Sequence, residues 1–140
     1  MIRVLIAASS EIMCAGLEAL LATYPGLVTV GRWHEIASLA PQVEARQPDI
    51  VLAEIESPED DTLATLEALI DGLHAPAFVV LTDDPYGVWA AELLRTGVQA
   101  ILPRLWKDRS VTIARKNLFR LVRSASCRAS TRTIVRSSKP

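Results

Sequence analysis

The chain is poor in several things, and each shortage narrows what it can be. Two cysteines among 140 residues, Cys14 inside a helical pattern and Cys127 in a polar stretch, lack the spacing of a disulfide framework or a metal knot. Cys14 reads most simply as a small core residue. Nowhere do eighteen apolar residues run together. The N-terminus enters an alternating pattern (Ile2, Val4, Ile6) rather than a charged region followed by an apolar stretch, so neither a membrane span nor a signal peptide is expected. The cytosol is the expected compartment. His34 and His74 are far apart and have no second ligand at helical or hairpin spacing, which argues against zinc. Cations are also scarce through most of the chain. Residues 1–103 hold 4 Arg against 15 acidic residues, whereas residues 104–140 hold 11 Lys or Arg and only Asp108. The two parts carry −11 and +10, and the net charge of −1 hides the division. Such an asymmetry suits either a basic tail for an anionic partner or a tail that lies on its own acidic domain.

What is abundant is apolar sequence, 50% of residues, enough for one domain to bury a core. It is arranged in alternating periods. Residues 2–7 suit a strand buried on both faces. Ser10 and Glu11 then open a helix in which Ile12, Met13, Gly16, Leu17, Leu20 and Leu21 recur at helical spacing, ended by Pro25 and Gly26. A second strand is expected over 27–31. A weaker helix follows through Ile36, Leu39, Val43 and Ala45, with Pro41 tolerable only near its first turn. Residues 49–55 are again a buried strand. Beyond the acidic loop at 57–61, Leu63, Leu66, Ala68, Leu69 and Ile70 mark a helix closing at Gly72. A strand at 77–81 leads into a helix carrying Val88, Ala91, Leu93 and Leu94, with Gly97 as its C-terminal cap. Residues 98–102 give a fifth strand, and Val111, Ala114, Leu118, Leu121 and Val122 a last helix. Five β-α units imply an α/β fold, a doubly wound five-stranded parallel sheet in three α/β/α layers. The expected organisation is one domain over 1–124 and a basic Ser/Arg-rich tail over 125–140.

In such a sheet, ligands sit outside the carboxyl ends of the strands. Ala8, Ser9, Glu54, Thr82 and Arg104 follow or end those strands. Their spacing resembles the CheY-like receiver domains of two-component response regulators, most closely the NarL/FixJ type. The resemblance spans residues 1 to about 122. It rests on RVLIA at the start, GLEALLATYPGLVTVG at 16–31, QPDIVLAEI at 47–55, Pro58 four residues after Glu54, VLT at 80–82 and RTGVQAILPR at 95–104.

The family implies phosphoryl transfer from a histidine kinase to an aspartate, assisted by Mg²⁺ on an acidic pair. In this sequence the acidic pair is replaced by Ala8 and Ser9, the phosphoacceptor position is Glu54 and the lysine position is Arg104. Thr82 alone keeps its type. Two missing carboxylates remove most of the charge that would offset dehydration of Mg²⁺, so metal binding is expected to be lost or weak, and phosphorylation with it. The lengthened Glu54 carboxylate could instead pair with the planar Arg104 guanidinium across the strand ends and bias the domain towards one output state. In the plainer alternative both side chains point into water. At the place where receivers often carry a switching aromatic stands Ile101, a core residue first of all.

The expectation is a non-enzymatic receiver without cofactor or metal, acting on a protein partner or a second copy through the fourth helix, fifth strand and fifth helix. Trp89 and Trp106 are interface candidates there, although filling the space between helix and sheet is the commoner aromatic role. The second reading is a nucleic-acid-associated protein binding through its basic tail, where no aromatic is interleaved for base stacking after Phe119. A flavodoxin-like enzyme is the weakest reading, because residues 8–11 (ASSE) lack the glycine a phosphate loop wants.

Overall fold

A computed structural model describes residues 2–55, 60–72, 75–83, 87–103 and 120. The last expected helix apart from Arg120, the tail, Arg104, Trp106, His74 and Cys127 lie outside the described residues. In chain order the elements are β1 (Ile2–Ala7), α1 (Glu11–Ala22), β2 (Leu27–Trp33), α2 (Leu39–Arg46), β3 (Ile50–Glu54), α3 (Asp60–Ile70), β4 (Ala77–Thr82), α4 (Val88–Thr96) and β5 (Ala100–Pro103). The strands form one parallel sheet in the order β2-β1-β3-β4-β5. This is the doubly wound α/β arrangement expected.

The inner strands β3 and β4 are buried along their whole length, and β1 is buried from Val4 onwards. Continuous apolar runs are what a sheet covered on both faces requires. Strand alternation sends Val4, Ile6, Leu52 and Val79 to one face, where Cys14, Leu17 and Leu21 of α1 cover them. Leu5, Val51, Phe78 and Val80 face the other way, against Leu39 and Val43 of α2, Leu66 of α3 and Leu93 of α4. Each fully buried Leu or Phe contributes about 2 kcal/mol of transfer free energy, so these two layers hold the sheet rigid beneath its loops.

Local chemistry sets the boundaries. Ser10 is extended (φ −94°, ψ 126°) and its Oγ accepts the Met13 N–H at 3.3 Å, which caps α1. Gly97 ends α4 at φ 115°, a backbone conformation that glycine adopts without strain. Val98 donates to the Leu93 carbonyl and belongs to this cap. Pairing with β4 begins only when the Gln99 N–H reaches Phe78, so β5 starts at Ala100 rather than 98. Pro41 is the third residue of α2, within the first turn.

β2 runs two residues beyond its expected end at Gly31. Val4 pairs with Thr29 and Leu5 with Gly31, leaving Val30 as an extra residue, a bulge that lets the ladder continue to Ala7 and Trp33. The freed Val30 carbonyl accepts from Arg46 Nη1 at 2.6 Å.

Two helix faces differ from the sequence reading. Ile12, counted with the inward face of α1, is 86% exposed. On α4 the inward residues are Ala90 and Leu93 with half-buried Trp89, whereas Val88 (84%) and Leu94 (53%) stand in solvent. Among the described residues no helix is long and apolar enough to cross a membrane.

Candidate functional site at the carboxyl end of the sheet

The chain leaves β1 towards β2 on one side of the sheet and leaves β3 towards β4 on the other. Order therefore reverses between β1 and β3, and the connections there diverge to leave a crevice. The register puts Ala7 beside Ala53, so the next residues, Ala8 and Glu54, stand together at its base. Glu54 lies opposite Leu81 on β4, and Thr82 follows it. Ala8, Glu54 and Thr82 are thus brought to one place, with Ser9 exposed beside them.

Ala8 is held at both backbone ends. Its N–H donates to the Trp33 carbonyl at 2.8 Å, and its own carbonyl accepts from Cys14 Sγ at 3.5 Å. It is 2% exposed and presents a methyl group where the family implies a carboxylate. Glu54 is 6% exposed, with both carboxylate oxygens out of solvent contact. The arrangement in which it points into water is therefore not the one adopted. Thr82 is 2% exposed. Ile101 pairs with Val80 on β5 and packs, half-buried, on the face covered by α2, α3 and α4. Trp89 packs on that same face, with its Nε1 buried and without a hydrogen-bond partner among the described residues, so it fills space under α4 instead of standing out as a surface anchor.

Beneath the site, burial pushes the Cys14 thiol up from its ordinary value. The Arg32 guanidinium acts in the opposite direction, as does the hydrogen bond to Ala8, and the negative charges of Glu54 and Glu11 add to the rise. Arg32 is itself engaged by Glu18 of α1 in an ion pair.

The crevice is a cleft of about 420 Å³. Ala8, Ser9, Glu54 and Ile55 form its base, and Thr62 of α3 lines it. Its remaining wall, residues 34–37 between β2 and α2, was not legible in the sequence as part of a site. Ile36 was counted there with the α2 period, whereas α2 starts only at Leu39. The segment is fixed by side chains: Trp33 Nε1 donates to Ser38 Oγ at 3.0 Å, and that hydroxyl donates to Glu35 Oε2 at 3.3 Å. The Trp33 and His34 rings lie 5.1 Å apart.

The donor set does not fit Mg²⁺. Mg²⁺ keeps several waters and is held through carboxylate oxygens, and where the family implies three acids this base offers a methyl group at Ala8, a hydroxyl at Ser9 and one carboxylate at Glu54. Among the described residues no three His, Cys, Asp or Glu converge as a metal cluster.

An open parallel sheet in the order 2-1-3-4-5, with helices on both faces and its crevice at the β1/β3 reversal, defines the flavodoxin-like class. Within it, the fold is that of CheY-like receiver domains. The response regulator domain of CheB from Thermotoga maritima superposes with a TM-score of 0.77 at 18% identity, over 90% of this chain and 96% of that one. The signal receiver domain of a modulated diguanylate cyclase from Desulfovibrio desulfuricans G20 gives 0.73 at 18% identity, over 92% and 96%. A DNA-binding response regulator of the LuxR family from Staphylococcus aureus gives 0.73 at 12% identity, over 90% and 99%. No family model matches the sequence, and no curated protein matches it.

Proposed function

We propose that this chain is a receiver domain of the two-component response-regulator type that works without phosphorylation and without catalysis of its own, by contacts with another protein in signal transduction or transcriptional control. The observation that carries this reading is the base of the crevice. The fold is a receiver's, yet where the family implies an acidic pair and an aspartate it has the buried methyl of Ala8, the hydroxyl of Ser9 and the buried Glu54. An Mg²⁺ ion has too few anionic ligands there, and phosphoryl transfer lacks its charge neutraliser.

In this reading Glu54 pairs with Arg104 and, beside Thr82, holds the loop after β4 in one arrangement. The partner, a second copy or another regulator, is met through α4, β5 and the helix after them in sequence. Val88 and Leu94, exposed apolar side chains on α4, suit that use. The cytosol is the proposed compartment.

A second reading has one observation in its favour, the charge of +10 on residues 104–140. In it, those residues bind nucleic acid by neutralising phosphates. A salt titration of DNA binding, comparing the full chain with one ending at residue 124, separates the two, since equal and weak binding by both disfavours the nucleic-acid reading.

The test of the first reading is incubation with acetyl phosphate and Mg²⁺ followed by intact-mass measurement. The expected result is an unchanged mass. A stoichiometric gain of one phosphoryl group would overturn the proposal.

A further inference from the structure

We propose that the groove between α2 and α3 holds the chain's own basic segment around Ile134 and Val135, so that the tail lies on the acidic domain it follows. The groove has a volume of about 340 Å³, room for a few side chains. Buried Val43 and half-buried Leu69 form its floor and belong to the core layer beneath it. Ala40, Ala68 and Ala75 line its walls, and their short side chains leave the two helices parted. Glu44 and Gln47 of α2 stand exposed at its rim. Leu73 and His74, between Gly72 and Ala75, lie outside the described residues, and neither is an acid, a lysine or an arginine.

The groove opens where both helices end. Gln47 closes α2 in a left-handed conformation (φ 45°), its N–H donating to the Val43 carbonyl at 2.8 Å, and Gly72 follows the end of α3 at Ile70. Helix C-termini carry partial negative charge and favour cations. α3 has no basic residue in its last turn, and Arg46, the basic residue in the last turn of α2, is directed to the Val30 carbonyl. Glu44 adds a full charge at the rim, and Asp71 stands exposed one residue before Gly72. Residues 1–103 as a whole carry −11. An apolar floor under a negative rim selects an occupant with apolar side chains flanked by cations.

The chain carries such a segment. Over 125–140, Ile134 and Val135 are the only large apolar residues; they stand between Arg132 and Arg136, and no acid occurs after Asp108. Thirty residues separate Pro103, at the end of β5, from Ile134. At about 3.3 Å per extended residue that length spans several times the radius of a domain of this size, about 13 Å, so the groove is within reach. Tethering also helps. With an effective concentration of order 1 mM, a contact with a dissociation constant of about 0.1 mM is roughly nine-tenths occupied. Arginines held in this way are not offered to nucleic-acid phosphates. The inference goes beyond the phosphorylation-independent reading and does not depend on it.

The experiment follows the amide resonances of the full chain, with Cys127→Ser removing the thiol of the tail and Ser138→Cys carrying a nitroxide four residues beyond Ile134. Buried Cys14 stays unlabelled, which intact mass verifies as a single label. The expected result is paramagnetic broadening centred on residues 40–47 and 68–72, and much weaker around the exposed acids Glu11 and Glu92. Ile134→Asp together with Val135→Asp should weaken the contact at least about tenfold, through lost apolar burial. Glu44→Lys, at an exposed position, should weaken it about threefold and leave the rest of the spectrum in place. Broadening spread evenly over the acidic surface, no broadening of the domain, or groove broadening that survives the double aspartate substitution would overturn the inference. A mixture of spin-labelled chains with isotope-enriched, unlabelled ones tests the other occupant: groove broadening in the enriched chains would assign the groove to the tail of a second copy and overturn the intramolecular contact.

Discussion

The guanidinium of Arg46 stands where a side chain on Gly31 would begin. A β-carbon built on Gly31 would lie 2.7 Å from Arg46 Nη1, the same nitrogen that donates to the Val30 carbonyl at 2.6 Å. Arg46 also donates from Nε to Gln42 at 3.1 Å, and its own carbonyl accepts from Arg3 Nη2 at 2.7 Å. The C-terminal end of α2 is thus tied to the bulge in β2 and to β1. That bulge sets how far β2 runs, and so where the cleft wall at residues 34–37 begins.

Gly31→Ala and Arg46→Ala are expected to be non-additive for this reason. Because the crowded atoms are the tip of a flexible side chain, Gly31→Ala displaces the guanidinium instead of distorting the strand, and its cost is the lost hydrogen bond, about 1 kcal/mol. Arg46→Ala loses the same bond. In a double-mutant cycle by urea denaturation the coupling should be about 1 kcal/mol, and a coupling near zero would show that the close approach has no energetic consequence.

Ser10 connects helix α1 to the site, because the cap fixes the chain one residue after Ser9. Ser10→Ala should cost about 1 kcal/mol of stability, and Ser10→Asp should recover most of it, since an aspartate also accepts the Met13 N–H and favours the positive end of the helix. Equal losses for both substitutions in thermal denaturation would contradict the capping role.

Cys14 gives a prediction in pH. Burial raises its pKa above the ordinary 9.0, so in alkaline solution the unfolded chain releases the thiol proton first and the native state keeps it longer. The native state then binds more protons, and stability falls as pH increases. The advantage of the natural chain over Cys14→Ala should therefore be constant below about pH 8 and shrink from about pH 9 upwards. In a Cys127→Ser background, a thiol reagent should label Cys14 only as fast as the protein opens.

The surface of α4 was the part of the fold least legible in the sequence. Val88, Ala91, Leu93 and Leu94 are the apolar residues that the sequence offers for this helix, and of these four only Leu93 is buried. Ala90 is buried beside Leu93, with half-buried Trp89 packed on the same core cluster. A window of nine residues with apolar groups at most positions does not fix its phase. Strands were clearer, since β1, β3 and β4 are buried on both faces and need no phase. The positions of Ala8, Glu54 and Thr82 at the base of the crevice followed from strand ends alone. The cleft wall did not, because the Val30 bulge and the Arg46 contact that terminate β2 are tertiary and leave no periodic trace.

That difference on α4 is itself testable. Val88→Glu and Leu94→Glu change exposed side chains and should alter stability by no more than about 0.5 kcal/mol, whereas Trp89→Ala should cost about 2 kcal/mol or more. If α4 meets a partner, the two glutamate variants should lose association in sedimentation experiments while keeping their melting temperature. Retained association in both would move the contact elsewhere.

Restoring carboxylates to the crevice should reveal what their absence does. Ala8→Asp, Ser9→Asp and Glu54→Asp together place three acids around a base that is buried at two of the three positions. Without a cation they repel one another and are poorly solvated, and the triple variant should lose about 3 kcal/mol relative to the natural chain. Mg²⁺ binds only the folded arrangement of the three, so at a hundredfold excess over its dissociation constant it should return about 2.7 kcal/mol, visible as a rise in melting temperature of several degrees. The natural chain, with one carboxylate in this place, should show no such rise. If Mg²⁺ raised its melting temperature as much as the variant's, Glu54 with Ser9 would suffice as ligands, and the argument from missing anions would fail.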